Sequence, residues 1–121
     1  MNLAEIPAIT IHSLEECRAA VLQARKAGQD SVVLLSAPMA GAHGGALWFS
    51  AMIRLVREEF PDMAVTGILD CGNHPGLALQ ALEADGVEVL VSPDTPGLSA
   101  LQDIAAARGK RLRVENRTES R

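Results

Sequence analysis

The chain has 121 residues, of which 48% are apolar, enough to bury a core as one domain. Its net charge of -4 argues against a general nucleic-acid binder, which presents a basic face, and no apolar stretch approaches the ~20 residues that span a bilayer. Aromatic residues are confined to Trp48, Phe49 and Phe60, so aliphatic side chains and alanine must build the core, which suits helices docked closely on a sheet.

Strand and helix patterns alternate along the chain. The first strand is the short run Ala8–Ile11. Ser13 then caps a helix, with Glu16 three residues on to complete a capping box. Leu14, Cys17, Val21 and Ala24 form the buried stripe of that helix, and Gly28 ends it. The second strand is the apolar run Ser31–Ser36. A loop over 37–44 leads into a helix over 45–59, which Pro61 and Asp62 terminate. The third strand covers 64–69 and passes through Asp70, Cys71, Gly72 and Asn73 to a helix begun by Pro75 and closed by Gly86. Val87–Val91 is the fourth strand. Thr95 is expected to cap the next helix, with Pro96 in its first position and Gly109 at its end. The fifth strand covers 111–114. The domain is therefore expected to span 1–116, with 117–121 a frayed tail.

Strands joined by single helices predict right-handed crossovers and a parallel α/β sheet. The segment Asn73-His74-Pro75-Gly76-Leu77 resembles Asp94-Thr95-Pro96-Gly97-Leu98, and each follows a strand, consistent with repeated βα units. The second, third and fourth strands read as apolar runs, as central strands buried on both faces do. The fifth alternates arginine with apolar residues, as an edge strand can. A sequential, half-barrel-like order fits this better than a flavodoxin-like open sheet, which would push the second strand to an edge. An isolated half barrel leaves one sheet face bare, so a homo-oligomer is expected. The helix over 48–56 points the same way: Trp48, Phe49, Ala51, Met52, Ile53, Leu55 and Val56 cover an arc of about 200°, wider than the ~100° of a one-sided helix.

In a parallel sheet the loops after the strands share one edge, and ligands bind there. His12, His43, Asp70, Cys71, His74 and Asp94 all fall on that edge. Gly41, Gly44 and Gly45 surround His43 at a helix start, where backbone N–H groups can cradle an anion. The alternative is a loop that needs glycine for its turn. Neither a P-loop nor a dinucleotide fingerprint is present. Asp70 is the candidate general base with His43 as its partner, and the alternative for Asp70 is a turn residue. Cys71 and His74 are weaker catalytic candidates: a cysteine before a helix start can be a thiolate, but at a strand end it is more often packing. His12 and Asp94 are candidates for ligand contact. The spacing of the histidines and Asp70 resembles no zinc pattern, so no metal is assigned. Lys26 and Lys110, the only lysines, lie away from this edge, which argues against Schiff-base chemistry.

The two cysteines are too few for a disulfide framework and suit a reducing cytoplasm. The first residues lack a basic stretch followed by an apolar run, so no signal peptide is expected. Arg108, Lys110, Arg111, Arg113, Arg117 and Arg121 gather six of the eleven basic residues near the end, which reads as a solvated edge before it reads as a docking site for an anionic partner. The leading expectation is binding of an anionic small molecule at the sheet edge, with acid/base catalysis by Asp70 and His43 if the chain is an enzyme. The alternative is a non-catalytic association or regulatory module that oligomerises through the 48–56 helix. Neither nucleic acid nor membrane is an expected partner.

Overall fold

The computed structural model describes residues 8–38 and 41–115, and within them every side chain except those of 41–44. Five strands, β1 (Ala8–Ile11), β2 (Ser31–Ser36), β3 (Ala64–Asp70), β4 (Val87–Val91) and β5 (Leu112–Val114), alternate with four helices. The helices are α1 (Leu14–Lys26), α2 (Gly41–Glu59), α3 (Pro75–Glu83) and α4 (Leu98–Ala107). All strand pairs are parallel and the order is β1-β2-β3-β4-β5. This is the sequential arrangement expected from the strand compositions. The flavodoxin-like alternative, which places β1 between β2 and β3, is excluded because β2 pairs directly with β3.

The two sheet faces are chemically distinct. Leu34, Leu69, Val89 and Val91 join one core cluster with every buried apolar residue of the four helices, including Cys17, Val21, Phe49, Ile53, Val56, Leu82 and Leu101. The alternate strand positions form a second, small cluster of Leu35, Ile68 and Leu90, flanked by Ala8 and Val33, with no described helical residue in it. The helices therefore lie on one side, as consecutive right-handed crossovers in one direction require. The other face is not bare at its centre, contrary to the half-barrel expectation: Leu35, Ile68 and Leu90 are buried. On this face Arg113 donates from Nε to Glu88 Oε1 at 2.8 Å. Arg108 pairs with Glu83 and Lys110 with Asp85, so the described basic side chains near the end are largely met by acids of the same chain.

Local chemistry explains the helix starts, with three departures from expectation. The Ser13 hydroxyl accepts from the Glu16 N–H at 3.1 Å, as a cap should. Glu16, however, reaches past Ser13 and accepts from the His12 N–H and Nδ1 at 2.7 and 3.0 Å, shifting the second half of the capping box by one residue. α2 is broken at Gly45 (φ 80°, ψ 162°), so a helical turn over 41–44, inside the expected loop, precedes the long helix. Only glycine adopts that conformation without strain. α4 starts at Leu98 behind Gly97, not at Thr95, because the Thr95 hydroxyl donates to the Ser92 and Gly72 carbonyls instead of capping. α3 starts at Pro75 as expected, so the two similar pentapeptides end in different geometries. The expected tail over 117–121 lies outside the described residues.

α2 is seated on β3. Gly67 faces Ile53, and a Cβ at Gly67 would stand 2.6 Å from Ile53 Cγ1. Arg57, one turn on, donates from Nε and Nη2 to the Val65 carbonyl at 2.9 and 2.8 Å and from Nη1 to the Gly86 carbonyl at 2.7 Å. One side chain thus ties α2 to β3 and to the approach to β4. Gly67→Ala is expected to cost about 1–3 kcal/mol by overpacking. In urea denaturation the midpoint should fall with an unchanged slope, and Ile53→Val should cost less in that background than in the wild type. A neutral Gly67→Ala would show that the helix is not held at this spacing.

Candidate functional site

The carboxyl ends of β2, β3 and β4 are knit together by small polar side chains. Ser36, buried at the end of β2, accepts from the Asp70 N–H at 2.9 Å and donates to the Ala37 carbonyl at 2.9 Å. Asp70 lies in register with Leu90 on the helix-free face and is only 5% exposed. Its Oδ1 accepts from the Gly72 N–H at 2.9 Å, an Asx turn that directs the chain out of β3. The Gly72 carbonyl accepts in turn from the Ser92 N–H at 2.9 Å and from the Thr95 hydroxyl at 3.3 Å, so the loops after β3 and β4 are bonded to each other. At the exposed rim the Ser92 hydroxyl donates to Asp94, and together with Asn73 it holds the Asp94 carboxyl below its usual range. Asp70 and Asp94 thus both present acidic groups at this edge.

The predicted histidines do not converge among the described side chains. His12 is exposed and bound to Glu16, whose carboxyl it holds low. It stands just before the Ser13 cap of α1. His74 takes the N-cap position of α3, where its backbone carbonyl accepts from the Ala78 N–H and its ring makes no cap bond. The side chain of His43 is not among those described, and of Gly41 and Gly44 only their place in the helical turn over 41–44 is described. Gly45 is described, and its role is the break in α2.

Cys71 corrects the thiolate expectation. It is buried on the helix side of the sheet, 3.8 Å from the Leu69 carbonyl oxygen. Burial, with the Asp70 carboxylate beside it, pushes its thiol up to about 12, which favours the protonated form over the thiolate. Cys17 is likewise core, pushed up to about 11 by burial and then by Glu16. Among the described residues, no group of three or more His, Cys, Asp or Glu side chains is arranged to hold a metal ion, and no helix is long and apolar enough to cross a membrane.

Sequence reasoning missed Ser36 and Ser92 and gave Thr95 a different job. A serine closing an apolar strand run, as Ser36 does, is the one signal that marked it: a polar group at a buried strand end needs a partner. No protein-family model matches the chain, and no curated protein is significantly similar to it.

The two thiols yield a direct test. In the native protein both should resist a thiol reagent at pH 8 and react fully once unfolded. Each unfolded thiol titrates near 9, whereas the folded ones hold their protons to about 11 and 12. Their contribution to stability is thus complete below pH 9 and is lost as pH rises toward about 11 for Cys17 and about 12 for Cys71, at up to about 1.4 kcal/mol per pH unit for each thiol. Replacing both by alanine should flatten the stability profile above pH 9. Rapid labelling of native Cys71 would contradict its burial.

Proposed function

We propose that the chain is an association module that docks through the outward face of α2. The observation that carries this reading is exposure. Leu47 is 77%, Trp48 41% and Leu55 44% exposed, and together they are half of the large apolar side chains left in solvent among the described residues. They sit within nine residues of one helix whose other face, Phe49, Met52, Ile53 and Val56, is fully committed to the sheet. Contiguous exposed apolar surface of this kind marks interaction sites in soluble proteins. Free, buried cysteines fit a role in the reducing cytoplasm.

The test is hydrodynamic. Both purified and in an extract of the cells that make it, the chain is expected to sediment well above its 12.8 kDa mass. Leu47→Glu with Leu55→Glu should return it to the monomer while leaving stability within about 0.5 kcal/mol, since both sites are exposed. Sedimentation as a monomer in both settings would remove the reading.

A second reading is favoured by Asp70, a carboxylate that is 5% exposed at the carboxyl end of a central strand. Here the edge binds an anionic small molecule through the backbone of 41–45 and the start of the long helix, and Asp70 and His43 exchange protons with it, as in a lyase, isomerase or hydrolase. The two carboxylates at this edge oppose an anion, which is why this reading comes second. Thermal midpoints measured with phosphate, sugar phosphates and carboxylates decide it. A rise that His43→Ala and Asp70→Asn abolish would support it, and a flat response across the set would exclude it.

A further inference from the structure

We propose that Asp85 is a site of spontaneous covalent change, isomerising to isoaspartate through a succinimide formed with Gly86, and that the change loosens the seat of α2. Asp85 is the only aspartate or asparagine in the chain followed by glycine. The pair forms the turn between α3 and β4, and both residues are exposed. The Asp85 side chain stands wholly in solvent, with its carboxyl 3.9 Å from Lys110 Nζ, an exposed ion pair that costs little to break. The neighbour is held to glycine by the fold. Gly86 has φ 77°, and a Cβ there would stand 2.7 Å from Arg57 Nη1. The structure therefore keeps beside Asp85 the residue whose amide nitrogen is least shielded by a side chain.

The chemistry needs only water. The Gly86 nitrogen attacks Cγ of the protonated Asp85 carboxyl, a C–N bond forms, and the Cγ hydroxyl leaves as water with the proton that the nitrogen gives up. Water then adds to either carbonyl of the imide and breaks its bond to nitrogen. Opening at Cγ restores aspartate. Opening at the main-chain carbonyl leaves the chain running through Cβ and Cγ, with the old carbonyl as a carboxylate. Nothing is oxidised or reduced, and composition and net charge are unchanged.

Its place in the fold gives the change an effect. Lys110 donates to the Ala84 carbonyl at 2.7 Å, Ser50 to that of Asp85, and Arg57 to that of Gly86 at 2.7 Å. Ser50 and Arg57 belong to α2. Isomerisation lengthens the main chain by one methylene between the Ala84 and Gly86 carbonyls and takes the Asp85 carbonyl out of it. Lys110 and Arg57 then cannot both keep their acceptors at the native spacing, and the hold of this turn on α2 weakens. None of these donors binds the reacting atoms, Asp85 Cγ and the Gly86 nitrogen.

The experiment ages the whole chain for weeks at physiological temperature and neutral pH, in buffer and, as a reference, in urea. An isoaspartate-specific methyltransferase with a labelled methyl donor reads the product, and proteolytic mapping places it. Isoaspartate should accumulate at Asp85 in the native wild type. Asp85→Glu keeps the charge but closes an imide far more slowly, and should accumulate none there. Asp85→Asn, which loses ammonia in place of water, should accumulate it several-fold faster. Separated from unreacted protein, the isomerised chain should unfold at lower urea, whereas aged Asp85→Glu should unfold where the fresh variant does. A native wild type without isoaspartate at Asp85 would overturn the proposal, and its formation in urea alone would identify the bonds on the turn as the reason. Isoaspartate that forms at Asp85 and leaves the urea midpoint unchanged would overturn the effect on α2.

Discussion

Ile53 rests on Gly67 at a separation that any side chain on that strand position would close. That contact sets the height of α2 above the sheet, and Arg57 locks its rotation by holding the Val65 and Gly86 carbonyls. With height and rotation both set, the division of α2 into two faces is no longer free. Phe49, Met52, Ile53 and Val56 must point to the sheet, and Leu47, Ala51, Arg54 and Leu55 must point away from it. The apolar character of the outward side is therefore a property of a rigidly held surface. A preorganised face loses less conformational freedom on docking than a mobile one.

The remaining elements support that seating from the sides. Arg18 pairs with Glu59 through two hydrogen bonds, and Arg25 with Asp62, so α1 grips the end of α2 and the turn after it. Arg25 also stacks over Phe60, 5.1 Å from the ring centroid. These are exposed pairs and each contributes little singly. Their joint effect is positional, because they meet where the chain turns from α2 into β3. On the far flank the Ser50 hydroxyl donates to the Asp85 carbonyl, and Lys110 reaches the Ala84 carbonyl, which links α2, α3 and the approach to β5.

The carboxyl edge obeys a different constraint, the need to satisfy buried polar groups. Ser36, Asp70 and Gly72 form a chain of hydrogen bonds running from β2 through β3 to the β4 loop. In a low-dielectric setting such a chain is stabilising only when complete. A carboxylate at this position thus has a structural duty whether or not it has a chemical one. That dual use is common at the edges of parallel sheets, where the strand ends must be closed and the same groups face the ligand mouth.

Periodicity and turn chemistry carried the fold. Apolar runs at β2, β3 and β4, arginines alternating on β5 and glycines at 28, 86 and 109 were enough to place the elements and order the strands, because burial on two faces, on one, or at an edge leaves a compositional mark on each strand. The wide apolar arc of α2 was legible for the same reason. The site was far less so. His12, His74 and Cys71 share a strand edge in the sequence, yet one pairs with Glu16, one caps with its backbone, and one turns into the core. A side chain's direction at a loop depends on backbone angles that no local spacing encodes, as the break at Gly45 and the late start of α4 show. The sequence by itself determined which residues would be buried and in what order the strands would lie, since hydrophobic pattern and short right-handed connections suffice for that. Only the tertiary structure decided which apolar side chains of α2 would stay in solvent and which polar groups would meet at the edge, since both depend on contacts between residues far apart in the chain.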